Sequence, residues 1–300
     1  MDQINKLKEV LDNFDFKVSL EKSKVKNKSK YSVKKIKEDI LLFSEAYLLV
    51  DGYSEYKEED IPLGATKLYG SPHLPDDIHP DDDEIFLGQF NMEQLKPFDF
   101  KNILPIDSGM CYFFVRPGED MDMGRPLEDN SSDDEDDEDE EQYMDEFEEE
   151  YNDSLRVLGR VYYSDTPIDQ LKVRKIPNGG KSVPASRVFD FNNASENIFF
   201  EQSPYFDLKG ILGEDYDHFM KELESNDVRF NVYEYSSELP DEFFFGQPQC
   251  LQGEGDGTPV LFSVDSLSVD FCDSGDCVFN FCLPYHFKNI EDGGLNISCT

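Results

Sequence analysis

Three groupings of residues have the types that chemistry uses. Cys272, Cys277, Cys282 and His286 follow one another closely near the end of the chain. Thiolates and imidazoles hold zinc, usually from a turn that aims them at one point. Cys277 and Cys282 instead lie five apart on an expected strand, so their side chains face opposite sides of it. The cysteines read as small buried hydrophobes, and no metal or cofactor is expected. His73 and His79 bracket Pro75, Asp76 and Asp77 in an expected loop; neither they nor His218 and His286 fall in a His-Glu-x-x-His pattern. A hydrolytic or metal site at this loop is the sharper reading and a solvated loop the plainer one. Asp76, Asp77, Asp81, Asp82, Asp83 and Glu84 lack the spacing and central glycine of a calcium loop. Gly253–Gly257 lacks the strand-to-helix setting of a dinucleotide site. No Gly-x-Ser-x-Gly or phosphate loop occurs. The chain therefore reads as more binding protein than enzyme.

The strongest compositional signal is acidic. Asp133, Asp134, Glu135, Asp136, Asp137, Glu138, Asp139, Glu140 and Glu141 run without interruption. Residues 119–153 hold 20 acids against Arg125, which is half of the net charge of −38. Such a tract repels itself and cannot bury enough apolar surface to fold, so 117–153 is expected to be a disordered insertion. One reading is a solubilising loop. The other is electrostatic capture of a basic protein surface, with Tyr143, Met144, Phe147 and Tyr151 as apolar anchors. Phosphorylation of Ser131 and Ser132 would add to that charge. Direct binding to nucleic acid or anionic lipid is disfavoured by repulsion. A chain this acidic could also block the basic site of a toxin or other protein.

The elements around these groups follow from periodicity. Ile4, Leu7, Val10, Leu11 and Phe14 predict a helix over 2–13. Lys17–Lys37, with nine lysines and one acid, reads as a linker, an exposed strand edge or a basic arm. Strands are expected at 46–50, 85–90, 110–115, 155–163 and 228–235, and a helix at 216–225 with Phe219, Met220 and Leu223 inward. The first residues are charged and amphipathic, and no run of 18 apolar residues occurs. The expectation is a cytoplasmic or nuclear protein that is neither secreted nor membrane-bound, with six reduced cysteines.

The chain also repeats itself. Tyr69-Gly70-Ser71-Pro72 is echoed by Phe245-Gly246-Gln247-Pro248, and 85–91 by 259–265. Asp107-Ser108-Gly109-Met110-Cys111 is echoed by Asp273-Ser274-Gly275-Asp276-Cys277. The offsets are 176, 174 and 166 residues. Each half supplies a turn, an apolar strand, a second turn and a second strand. Gly70 and Gly246 are expected to carry positive φ, and each Asp-Ser-Gly to turn the chain. A groove between the halves would gather Tyr69, His73, Asp107, Gln252 and Asp273, as a small-molecule or hydrolytic site alternative to simple binding.

These motifs resemble the YwqG-like family, a domain of unknown function, over about residues 40–287. Gly70, Pro72 and Pro75 match its Gly-Gly-x-Pro-x-x-Pro segment, with Tyr69 in place of the first glycine. Phe86, Leu87, Gln89 and Asn91 match its next strand, and Gly109, Phe113 and Phe114 the turn and strand after that. Gly246, Pro248, Gln252, Asp265 and Gly275 resemble its C-terminal half. The family's tryptophans are absent here. The resemblance implies a fold more than an activity.

Together these readings predict an α+β fold of largely antiparallel sheets, built from two pseudo-symmetric repeats with few short helices. The expected organisation is a helix and Lys-rich linker at 1–39, one duplicated domain at 40–290 with repeat halves near 64–116 and 240–284, and a tail at 291–300. The expected function is binding of basic proteins.

Overall fold

Helix α1 (Gln3–Asn13) forms where the apolar spacing predicts it and buries Leu7, Val10 and Leu11 on one face. A second helix, α2 (Val33–Leu42), begins inside the lysine-rich stretch. Ser32 caps it by accepting from the Lys35 backbone N–H at 3.2 Å, which satisfies a donor the first turn leaves open. Lys34 and Lys37 are thus helical, because Ile36 and Ile40 supply a buried face at helical spacing. The computed structural model describes residues 3–16, 32–50, 53–99, 102–115, 159–176, 185–202, 207–233, 239–246, 260–265, 277–282 and 293–299. The acidic run 133–141, Gln252, Asp273 and the lysines between 17 and 31 lie outside them.

The chain folds as two units, Met1–Leu49 with Ala194–Gly246, and Val50–Asn193 with Gln247–Thr300. In the first unit, strands β1 (Ser44–Val50), β10 (Ala194–Glu201), β11 (Phe230–Tyr233) and β12 (Glu242–Gly246) lie in the order β11-β10-β1-β12. Helices α4 (Leu208–Leu212) and α5 (Tyr216–Ser225) connect β10 to β11. A helical crossover of this length permits parallel pairing, and β10 and β11 are parallel, with Ile198 opposite Phe230. The first 39 residues do not stand apart. Leu7, Leu11, Ile36 and Ile40 share one apolar core with Ile198, Phe200, Phe219 and Leu223.

In the second unit, a sheet runs β2 (Tyr53–Glu55), β9 (Arg187–Phe189), β3 (Lys67–Leu68), β5 (Ile85–Asn91), β6 (Met110–Val115), β7 (Gly159–Ser164). Strands β13 (Val260–Asp265), β14 (Cys277–Cys282) and β15 (Gly294–Cys299) form an antiparallel meander. Between these two layers Phe281 meets Phe90, Phe113 and Phe262, with ring centroids 5.0 to 5.8 Å apart. Strands β4 (His73–Leu74) and β8 (Lys172–Val173) pair separately, and α3 (Met92–Leu95) follows β5. Mixed helices and mostly antiparallel sheets make the fold α+β. No helix among the described residues is long and apolar enough to cross a membrane.

The two hairpins β5–β6 and β13–β14 share a defect. Phe86 and Gly88 face the consecutive residues Phe114 and Phe113, leaving Leu87 extra. Val260 and Phe262 face Cys282 and Phe281, leaving Leu261 extra. The strands leading to them also end alike, with Tyr69 at φ 58° and Phe245 at φ 60°. Two details differ from the sequence reading. Gly70 carries a positive φ of 70°, but Gly246 does not; Phe245 takes the left-handed residue there. A Cβ on Gly246 would come within 2.2 Å of the Tyr47 ring, so close packing is what excludes a side chain. The strand register also pairs Cys111 with Phe90 and Phe279 with Val264. Cys111 therefore corresponds to Phe279, two residues beyond Cys277. A shift of two keeps the same face inward.

Candidate functional site

The turn that leaves β3 gathers buried polar side chains, among them Lys67, His73, Gln89 and Ser186. Lys67 ends up with its side chain fully buried. Its ammonium donates to the Ser71 carbonyl at 2.7 Å, to Glu58 Oε2 at 3.2 Å and to Ser186 Oγ at 3.3 Å. Ser186 Oγ in turn donates to Glu58 Oε1, and the Tyr69 carbonyl lies 3.2 Å away. Gly70 closes the cluster, since a Cβ on it would stand 1.9 Å from both Glu58 Oε1 and Ser186 Oγ. Burial lowers the Lys67 pKa, and the Glu58 carboxylate opposes that shift.

His73 sits on the far side of the same turn and is fully buried. Its Nδ1 accepts from the Gly64 backbone N–H at 3.1 Å, which places the ring proton on Nε2. That Nε2 is buried with no hydrogen-bond partner among the described residues. Desolvation first, and the Lys67 charge second, lower its pKa to about 4. Gln89 clamps the segment from β5. Its Oε1 accepts from the His73 backbone N–H at 2.7 Å and its Nε2 donates to the Ala65 carbonyl at 2.8 Å. Two residues on, Asn91 Nδ2 donates to the Gly64 carbonyl at 2.9 Å and its Oδ1 caps α3 by accepting from the Glu93 N–H. The Tyr112 hydroxyl donates to the His73 carbonyl at 2.8 Å, and burial pushes that phenol above its ordinary pKa.

A serine, a lysine and a carboxylate in contact suggest a nucleophile with its base. The geometry argues otherwise. A lysine acts as base only through a free lone pair. Here the three N–H bonds of Lys67 have three acceptors, which is the arrangement of an ammonium. Ser186 is 2% exposed and faces Gly70, so no reacting carbonyl can reach it. The cluster holds a turn.

The five residues expected to line a groove divide accordingly. Tyr69 and His73 are both buried at this turn, with the Arg187 guanidinium 5.9 Å from the Tyr69 ring centre. Asp107 is elsewhere in its bonding. Its side chain is 79% exposed and pairs with Lys96 at 2.8 Å. Its turn forms as expected, with Gly109 at φ 88°. Gln252 and Asp273 lie outside the described residues. Among the acids weighed for calcium, Glu84 is buried and accepts from the Tyr162 hydroxyl at 2.7 Å. Asp76 pairs with Lys172 and Arg174 at the surface.

Sequence reasoning missed Glu58, Lys67 and Ser186, and named Gln89 only as part of a strand motif. Lys67 carried a faint signal, as a lysine two places from Ala65 and one from Leu68 in an apolar stretch. Ser186 carried none, being 119 residues from Lys67. Neither the protein-family models nor the curated proteins contain a match to this chain.

Proposed function

We propose that this is a non-enzymatic binding protein whose acidic segment Asp133–Glu141 captures basic protein surfaces. The observation that carries the reading is the charge distribution, with 20 acids in residues 119–153. A field of one sign that strong attracts cationic partners and speeds their encounter, and salt screens it. The bonding of Lys67, Glu58, Ser186 and His73 supports the same reading, because each of these reactive types is spent on holding a turn. The ordered motifs that resemble the YwqG-like family are compatible with it, since that resemblance implies a fold and no catalytic set.

Deletion of 119–153 tests it. Retention of the intact and deleted proteins on an immobilised lysine-rich protein is measured at ~50 mM and ~200 mM salt, a range over which multivalent charge contacts weaken steeply. The intact protein is expected to bind and to release with salt, and the deleted one to bind poorly. Equal retention of both would show that the segment does not bind.

A further inference from the structure

In the first unit a groove of about 830 Å³ runs between α5 and β11. Its apolar lining comes from Tyr216, Met220, Leu223, Val228 and Phe230, with Asn197 and Asn231 beside them. Its helical rim carries Asp217, Lys221 and Glu224, spaced i, i+4 and i+7 so that they form one exposed stripe. The far end adds Asp227 and Arg229. Asp227 pairs with Lys6 at 2.6 Å.

Strand β11 is the edge of its sheet among the described residues. Its bonding fixes which groups face outward. The Ile198 N–H donates to the Arg229 carbonyl and the Gln202 N–H to the Tyr233 carbonyl, both at 2.7 Å. Residues 229, 231 and 233 therefore turn their backbone groups toward β10. In a parallel pair the residues between them face away. Phe230 and Val232 thus turn their N–H and C=O groups away from β10, at the edge of the sheet among the described residues, and Phe230 also lines the groove.

We infer that β11 and α5 form a docking site for an extended peptide that adds to the sheet as a further strand, with Lys or Arg at every second position. Strand addition supplies main-chain bonds at Phe230 and Val232, and alternate side chains enter the groove. Long basic side chains suit that groove because their stems cover apolar surface while their heads reach the rim. The heads would meet Asp217 and Glu224, which flank Lys221, and the half of the −38 net charge that lies outside residues 119–153 disfavours an acidic peptide. It disfavours a second copy of this chain for the same reason. The inference does not depend on the acidic segment, which would bind cations without regard to backbone pairing.

The test uses the full chain and a fluorescein-labelled octapeptide of alternating Val and Lys, read by anisotropy. Val232→Pro removes one outward N–H, at a position where an edge strand tolerates proline. Binding is expected to weaken about tenfold or more in Val232→Pro, the scale of one lost main-chain bond. On the unaltered protein, N-methylation of one alternating set of the peptide, Val or Lys, is expected to do the same and N-methylation of the other set to leave binding unchanged, because only one set turns its N–H groups to β11. The methylated peptides decide the matter if Val232→Pro does not fold. Absence of saturable binding, equal binding of both methylated peptides, or equal binding of an alternating Val-Glu peptide would overturn the inference. So would a dimer in sedimentation that Val232→Pro dissociates, which would assign the edge to a second copy.

Discussion

Lys67 and Glu58 make an ion pair at 3.2 Å in which the lysine side chain is fully buried and the glutamate side chain is 37% exposed. The two partners are therefore unequal. Glu58→Gln leaves an ammonium inside the protein, whereas Lys67→Met leaves a carboxylate that can turn to water. Breaking a buried pair costs about 3–5 kcal/mol. Glu58→Gln is expected near the lower end of that range, and Lys67→Met about 1–2 kcal/mol below it, given the exposure of Glu58. Urea unfolding of both variants would check the order. A Lys67→Met variant less stable than Glu58→Gln would contradict it.

Gly70 and Gly213 both have positive φ, 70° and 55°, yet they differ in surroundings. A methyl on Gly70 collides with Glu58 and Ser186, while one on Gly213 meets nothing within 4 Å. Gly213→Ala carries only the backbone term, about 1–2 kcal/mol. Gly70→Ala adds the disruption of the Lys67 cluster and is expected to cost about 3 kcal/mol or more. Thermal melting of the two alanine variants separates the contributions.

His73 ties stability to acid. Its folded pKa, about 4, lies below the ordinary value of 6.5. Between these values the unfolded chain binds the extra proton, so stability falls as the pH drops through that window and levels off below it. The loss from this one residue is about 3 kcal/mol. The comparison is unfolding free energy at pH 7 and at pH 4.5, for the native protein and for His73→Gln. The variant is expected to lose less on acidification. An identical loss in both would mean that His73 does not titrate in this range.

Phe281 packs against Phe90, Phe113 and Phe262 and is 2% exposed. Phe281→Ala is expected to destabilise the fold by about 4 kcal/mol, and Phe281→Leu by much less. Phe98 stacks on Phe191 and is only partly buried, so Phe98→Ala serves as the mild control. Denaturant titration followed by tyrosine fluorescence would rank all three.

Local pattern alone determined a good deal of this protein. The spacing of Phe219, Met220 and Leu223 predicted the helix at Tyr216–Ser225, and the apolar runs predicted β5 and β6. The Asp107-Ser108-Gly109 motif announced a turn, and Gly109 makes it with a positive φ. Each of these is a property of consecutive residues, written in periodicity and turn chemistry. Only the tertiary structure showed Leu87 and Leu261 as the extra residues of matching bulges, and moved the partner of Cys111 from Cys277 to Phe279. Hairpin register depends on which backbone groups meet, and two cysteines in similar words do not fix it. The parallel pairing of β10 with β11, and the edge it leaves, likewise required the crossover through α4 and α5 to be seen in space. The clasp at Gly70 was decided there as well. Ser186 reaches Glu58 across 128 residues of chain. A buried charge finds its partner by proximity after folding, and proximity at that separation leaves no local mark in the sequence.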